Sequence, residues 1–143
     1  MNKTRITNKT KMPVYFLEDT QYTEINFRNT AQHIELGGML FVPAGEGPFP
    51  AVVVIHGSGT SMRNSRWYLT LTQYLQENGV AVLLPDKRGS EKSQGDWRSA
   101  DFEDLATDTL AAIQYLKDQD AYAKQRIGTL LQQNRDGLPA AAE

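Results

Sequence analysis

The stretch that decides the fold is "AVVVIHG", residues 51–57. It places five apolar residues in a row, four of them β-branched, before a histidine and a glycine. Such a run is typical of a strand that is buried on both faces of a parallel sheet. A second run of the same kind, "VAVLLPD", covers residues 80–86. The two runs therefore predict two buried strands of one parallel sheet.

Each run is followed by a segment with helical periodicity. After the first run, an apolar stripe predicts the buried face of a helix that ends near Asn78 and Gly79, and the stripe consists of Trp67, Leu71, Tyr74 and Leu75. After the second run, an acidic first turn precedes a second stripe of Phe102, Leu105, Thr109, Ile113 and Leu116. A third short strand is expected at about 126–131. This alternation predicts a mostly parallel sheet with right-handed crossovers.

Two further strands are predicted before the first run. The stretch "YTEINFR", residues 22–28, alternates apolar and polar side chains as a half-buried strand does. The stretch "HIELGGMLFVP", residues 33–43, is the second candidate, and its paired glycines allow a bulge or a bend. These strands suit an antiparallel pair at one edge of the sheet, which brings the total to about five.

The domain organisation follows from length and local composition. A chain of 143 residues favours one domain with a core of its own. Residues 1–12 are polar and lack apolar periodicity, so we predict a flexible tail there. We predict the folded domain over 13–131 and a divergent, irregular tail over 132–143.

Composition excludes several classes of function. A net charge of -2 gives no electrostatic footprint for nucleic acid or for an anionic membrane, so neither partner is expected. No apolar run exceeds five residues, far below the roughly 20 that span a bilayer. The basic N-terminus is not followed by an apolar signal-peptide core, so a cytoplasmic location is predicted. With no cysteine and two histidines, neither a metal site nor a cofactor is indicated.

The segments that follow the buried strands are where ligands bind in such sheets. The first is "HGSG", residues 56–59, whose glycines let backbone N–H groups approach a developing negative charge. Ser58 and His56 could form a nucleophile–base pair, but a tight loop rarely provides that geometry. In the second segment, "PDKRGSEKSQGDW" at residues 85–97, Ser93 imitates part of a nucleophile turn, and a turn serine is the simpler interpretation. His33 is expected to be an edge or solvated histidine.

These motifs in this order resemble the N-terminal half of the α/β-hydrolase fold, in particular its esterase and serine aminopeptidase-like branch. The resemblance spans about residues 22–130. It implies that the oxyanion-hole loop consists of His56, Gly57, Ser58 and Gly59. It also implies that a family loop motif is formed by Asp86, Arg88, Gly89 and Ser93, with Glu91 where a second glycine often stands. The implied substrates are small-molecule carboxylic esters or amides, and the reaction would need no cofactor.

The resemblance stops where the nucleophile is expected. In the family, the fifth strand runs into a Gly-x-Ser-x-Gly turn that presents the reactive serine. Here the positions after 126–131 hold Gln132, Gln133 and Asn134, and no serine follows Ser99. The catalytic acid and histidine of the family are missing as well. We therefore predict a truncated, catalytically incomplete serine hydrolase.

Two alternatives stay open at this point. The first is a non-catalytic module that self-associates or binds a partner through its exposed sheet edge near 126–131. The second is an active small hydrolase that uses Ser58 as its nucleophile. Neither the substrate nor a preference for esters over peptides follows from the sequence.

Overall fold

A computed structural model describes residues 16–57 and 62–131. It contains five strands and two main helices. In chain order these are β1 (Thr23–Asn29), β2 (Ile34–Phe41), β3 (Phe49–Ile55), α1 (Arg66–Glu77), β4 (Ala81–Pro85), α2 (Phe102–Lys117) and β5 (Tyr122–Leu131). Two short 3-10 helices cover Leu17–Asp19 and Trp97–Ser99. The predicted tails, 1–12 and 132–143, lie outside the described residues, so the domain boundaries stay a prediction.

The strands form one mixed sheet in the order β1-β2-β4-β3-β5. β1 and β2 pair antiparallel, and so do β2 and β4. β3 lies between β4 and β5 and pairs parallel with both. The antiparallel edge and the parallel interior confirm the predicted fold class. Within the described part of the chain, β5 is an edge strand.

The two glycines of β2 serve close packing rather than a bulge. The pairing of β1 with β2 runs through Gly37 and Gly38 without a shift in register. A Cβ atom at Gly37 would lie 2.7 Å from the Cβ atom of Lys92, and one at Gly38 would lie 3.0 Å from the Cα atom of Pro85. Glycine at position 37 therefore lets β2 approach the loop after β4 this closely, and glycine at position 38 avoids crowding against the end of β4.

The first helix buries a different face from the predicted one. Trp67 and Tyr74, predicted to be core residues, are 60% and 64% exposed. Its buried side chains are Tyr68, Leu69 and Thr72, and Leu75 of the predicted stripe packs half-buried against the same cluster. Thr72 is tolerated there because its hydroxyl donates a hydrogen bond to the Leu69 carbonyl, at 2.9 Å. The helix thus carries one buried stripe and one exposed aromatic stripe.

The second helix lies where it was predicted, but its predicted stripe is only partly buried, since Leu105, Thr109 and Ile113 are half-buried. A capping box formed by Asp101 and Asp104 closes its first turn, as the acidic residues there suggested. Ala112 and Leu116 are fully buried against the sheet. Phe102, predicted to belong to the buried stripe, is 89% exposed. The outer end of α2 therefore presents apolar surface that the described residues do not cover.

Candidate active site

His56 and Gly57 lie at the carboxyl end of β3, where the sequence placed the oxyanion-hole loop. Ser58 and Gly59, the other two predicted members, lie outside the described residues. The His56 ring lies edge-on to the Tyr68 ring, with 5.1 Å between ring centroids. Its Nε2 atom bonds to the Pro85 carbonyl oxygen. This bond ties the loop after β3 to the end of β4.

The protonation of His56 follows from its surroundings. Burial lowers the pKa of the imidazole, so the ring is neutral near pH 7. Because a carbonyl oxygen can only accept, the Nε2 atom carries the proton that is donated to Pro85. The Nδ1 atom is buried and has no hydrogen-bond partner among the described residues. In the described structure His56 therefore links the end of β3 to the end of β4.

Lys87 holds the same loop from the other side. Its Nζ atom donates a hydrogen bond to the Gly57 carbonyl oxygen at 3.0 Å and lies 4.5 Å from the centroid of the Trp97 ring. Burial lowers the pKa of this ammonium group. Sequence reasoning did not single out Lys87, because a lysine in a polar loop carries no signal of where its side chain points.

Asp86 is buried in a two-carboxylate clamp around Arg63. The guanidinium group donates to both oxygens of Asp86, from Nε and Nη2, at 2.9 Å each. It also donates to both oxygens of Glu24 on β1, at 2.8 and 2.6 Å. Arg63 holds the pKa of Glu24 below its usual value, and Glu24, followed by Asp86, raises the pKa of Arg63. We call Glu24, Arg63 and Asp86 the arginine clamp.

Backbone groups complete the clamp. The Arg63 N–H donates to the Glu91 carboxylate at 2.9 Å, and the Lys92 N–H donates to the Asp86 carboxylate at 3.2 Å. Arg63 lies three residues before the first residue of α1, Arg66. The clamp thus fixes the position of Arg63 just before the start of that helix. A buried aspartate at a strand end calls for a cation, but nothing in the sequence says which one.

Glu91 occupies the position where the family motif often has glycine. Its φ angle is 47°, in the left-handed region that favours glycine. The strain of this conformation is compensated by the bond from the Arg63 N–H. Gly89 has a φ angle of 81°, and a Cβ atom there would lie 2.8 Å from the Gly95 carbonyl oxygen. Glu91 thus adopts a backbone conformation that glycine favours, and Gly89 stands where a larger residue would not fit.

Ser93 is a structural serine in this loop. Its hydroxyl donates to the Asp86 carbonyl oxygen at 2.8 Å and accepts from the Gly37 N–H at 3.0 Å. Both bonds hold the loop against β2. This is the turn role expected for Ser93, and it leaves the hydroxyl bound to the backbone.

Arg88 points towards α2 rather than towards the arginine clamp. It donates to both oxygens of Asp108, at 2.9 and 2.8 Å, and to the Asp104 carbonyl oxygen at 3.2 Å. Asn29 donates to the same Asp108 carboxylate at 2.6 Å. The Asp108 carboxylate raises the pKa of Arg88. Asp86 and Arg88 thus brace the loop in two directions.

A cavity of about 610 Å³ opens beside these loops, between α2 and β5. Its polar end is formed by His56, Gly57 and Lys87. Its apolar walls come mainly from Trp97, Phe102, Leu105, Leu110, Ile113 and Leu131. We call it the α2–β5 groove. Its volume and its apolar lining with a few polar groups fit a small-molecule site.

Other kinds of site are not seen in residues 16–57 and 62–131. No three histidine, aspartate or glutamate side chains lie where they could hold a metal ion together. None of the helices in these ranges has the length and apolar character needed to cross a membrane.

Known proteins resemble this chain in sequence and in structure. Esterase EstD of Thermotoga maritima is 29% identical over 89 residues, which are 59% of this chain and 22% of that protein. The α/β hydrolase GrgF of Penicillium sp. sh18 superimposes with a TM-score of 0.66 at 23% identity, covering 78% of this chain and 37% of the other. Esterase Pf2001 of Pyrococcus furiosus gives a TM-score of 0.66 at 20% identity, covering 84% and 46%.

These matches cover only part of each relative. The chain spans about a fifth of the length of the curated esterase and less than half of either solved structure. The model of the serine aminopeptidase (S33) family matches residues 46–127, more than half of the 143 residues. That range runs from just before β3 into β5 and includes both loops described above. The chain therefore belongs to the serine aminopeptidase (S33) family of the α/β hydrolases.

Proposed function

We propose that this chain forms the oxyanion-loop half of a serine hydrolase for small carboxylic esters or amides. The observation that carries the proposal is the bracing of His56 and Gly57 at the carboxyl end of β3. Pro85 and Lys87, both at or just after the end of β4, hold this segment from two sides. A loop held in this way can present backbone N–H groups to an oxyanion without rearranging. Two similar proteins named as esterases support the ester part of the proposal.

We further propose that the 143 residues do not hydrolyse esters by themselves. No serine follows Ser99, so the position after β5 supplies no hydroxyl nucleophile. Oxyanion donors without a nucleophile and its base leave only weak catalysis over water. In this view the chain provides the scaffold and half of the anion-stabilising machinery.

Turnover of p-nitrophenyl butyrate tests this proposal directly. We expect the folded chain to give no saturable turnover above that of the urea-unfolded chain. Ser58→Ala should change nothing, and Ser99→Ala, at an exposed serine outside the loop, serves as the matched control. Saturable turnover that disappears in Ser58→Ala but persists in Ser99→Ala would instead identify Ser58 as a nucleophile.

A second candidate function is a binding module that uses the open side of the sheet. The observation that favours it is the α2–β5 groove, whose rim residues Phe102, Leu110 and Leu131 are 89%, 62% and 58% exposed. Contiguous apolar surface of this kind marks an interaction site. Binding of the dye 8-anilinonaphthalene-1-sulfonate should therefore be detectable, and Leu110→Glu should abolish it.

A further inference from the structure

The free edge of β5 lies against the α2–β5 groove. Ile127–Leu131 pair in unbroken register with residues Ala51–Ile55 of β3 on one side. No strand among the described residues pairs with the other side. Such an edge presents unpaired backbone groups that favour the addition of another strand. Thr129 and Leu131 also line the groove, so the edge and the groove form one surface.

We propose that this surface binds a second copy of the chain, with the two β5 strands paired antiparallel about Thr129. The inference rests on the second candidate function, because it names the partner of that surface. Centring the pair on Thr129 uses all five residues that are regularly paired with β3. Ile127 then faces Leu131 of the second copy, and Gly128 faces Leu130 of the second copy.

The alternation of side chains makes this register self-complementary. Thr129 and Leu131 line the groove, and Ile127 packs on the same core as α2, so all three point to one face. Residues that are directly opposite each other in an antiparallel pair share a face. Each apolar side chain on the groove side therefore meets another apolar side chain, and the two threonines meet each other.

The same symmetry brings the two grooves together. A two-fold axis perpendicular to the sheet pairs the strands antiparallel and keeps both α2 helices on one face. Five paired residues span only about 17 Å, so the strand edge alone is small for a stable interface. The exposed side chains of Phe102 and Leu110 supply further apolar area on that face.

Charge complementarity supports a second copy as the occupant. The two α2 helices run antiparallel across the axis, which brings the first turn of one near the last turn of the other. Glu103 lies in the acidic first turn and Lys117 in the basic last turn. They stand at equal distances in sequence on either side of Leu110. An arrangement centred on Leu110 therefore sets Glu103 against Lys117 of the second copy, with opposite charges and opposed helix dipoles.

Cysteine cross-linking tests the register, since the chain contains no cysteine of its own. In Thr129→Cys the two introduced thiols would face each other across the axis, at a separation that suits a disulfide. Mild oxidation should give a covalent dimer. The control Gln125→Cys, exposed on the same strand, places its thiols eight positions apart, about 26 Å, and should stay uncross-linked.

Analytical ultracentrifugation from low micromolar to submillimolar concentration gives the second measurement. We expect a reversible dimer of twice 16.0 kDa. Leu110→Glu should weaken association about tenfold or more, because it places a charge in the apolar seam. Trp67→Glu, on the exposed stripe of α1, should leave association unchanged. Circular dichroism checks that both variants are folded.

The possible outcomes distinguish the proposed dimer from the second candidate function, on which it rests. A monomer throughout the range, or equal cross-linking at positions 125 and 129, overturns the proposed dimer. If that monomer binds the dye and loses it in Leu110→Glu, the groove is open and the second candidate function stands. If the monomer binds no dye and the β5 amides resist hydrogen exchange, residues of the same chain cover the edge, and both ideas fail.

Discussion

Two sides of the molecule differ in how far their side chains have partners: the side around the loop after β4 and the side around β5. Around the loop after β4, the buried charged residues Arg63, Asp86 and Arg88 are all paired, in the arginine clamp and in the Arg88–Asp108 pair. Around β5, the α2–β5 groove exposes large apolar side chains with nothing described over them. Buried charges persist only when they are paired, whereas apolar surface remains available to a partner. The comparison separates a side whose buried charges are paired from an open side that exposes apolar surface.

Removing the cation of the arginine clamp should produce the largest effect. Arg63→Met leaves the Asp86 carboxylate buried without its counter-ion, and the cost of such a loss is about 3–5 kcal/mol. We expect the free energy of unfolding, measured in urea, to fall by that amount. Arg66→Met, at an exposed arginine on the first turn of α1, should change it by no more than about 0.5 kcal/mol. Equal effects of the two substitutions would mean that the clamp contributes nothing specific.

The close approach of β2 to the braced loop gives the second effect. Gly37→Ala would place a Cβ atom 2.7 Å from Lys92 Cβ and 3.1 Å from Asp86 Oδ2. Overpacking of this kind costs about 1–3 kcal/mol. Gly128→Ala is the matched control on β5, where a Cβ atom would meet nothing within 4 Å. It should be neutral or slightly stabilising, by up to about 1 kcal/mol. Thermal unfolding of both variants measures these effects. A larger loss of stability in Gly128→Ala than in Gly37→Ala would contradict the prediction.

The pH dependence of stability tests the burial of His56. The unfolded chain binds a proton near the ordinary pKa of 6.5, whereas burial lowers the pKa of His56 in the folded chain. Between these two values the unfolded state holds more protons, so stability falls as the pH falls below 6.5. The slope from one such group is at most about 1.4 kcal/mol per pH unit, and the loss levels off below the folded pKa.

Substitution of His56 should remove that slope. In His56→Gln, the difference in urea stability between about pH 5 and pH 7 should shrink. His33→Asn is the control, because His33 is exposed and its φ angle of 57° suits asparagine. Glu24 contributes little to this difference, because the unfolded chain protonates it only near its ordinary pKa of 4.5, and its contribution is the same in both variants. If the pH dependence survives in His56→Gln but disappears in His33→Asn, it arises from His33 and the prediction for His56 is wrong.

The strands were predictable because their pattern is local. The β-branched run of β3 and the alternation of β1 depend only on neighbouring residues, and both strands appear where expected. The exposed positions of Trp67 and Tyr74 were not predictable, because α1 carries two apolar stripes. Packing against β2 and β4 decides which stripe faces the sheet. Helical periodicity alone gives no information about such long-range contacts.

The site was only partly predictable for a related reason. The loop motif pointed to Asp86 and Arg88, and both are central to the braced loop. The sequence did not point to Arg63 or Glu24. Arg63 lies 23 positions from Asp86 and 39 positions from Glu24 along the chain. Pairings at such separations are set by the sheet order. That Asp86 is buried and needs a cation is visible only in the structure.

The smallest expected effect is on the open side, at the start of α2. Phe102→Ser removes a large side chain that is 89% exposed, so little apolar burial is lost. At low micromolar concentration we expect the free energy of unfolding to change by no more than about 0.5 kcal/mol. At submillimolar concentration the wild-type chain should gain stability by association, and Phe102→Ser should gain less. Urea unfolding at both concentrations measures this difference. A loss above about 1.5 kcal/mol at the lower concentration would mean that this end of α2 is already covered within a single chain, and the contrast between the two sides would not hold.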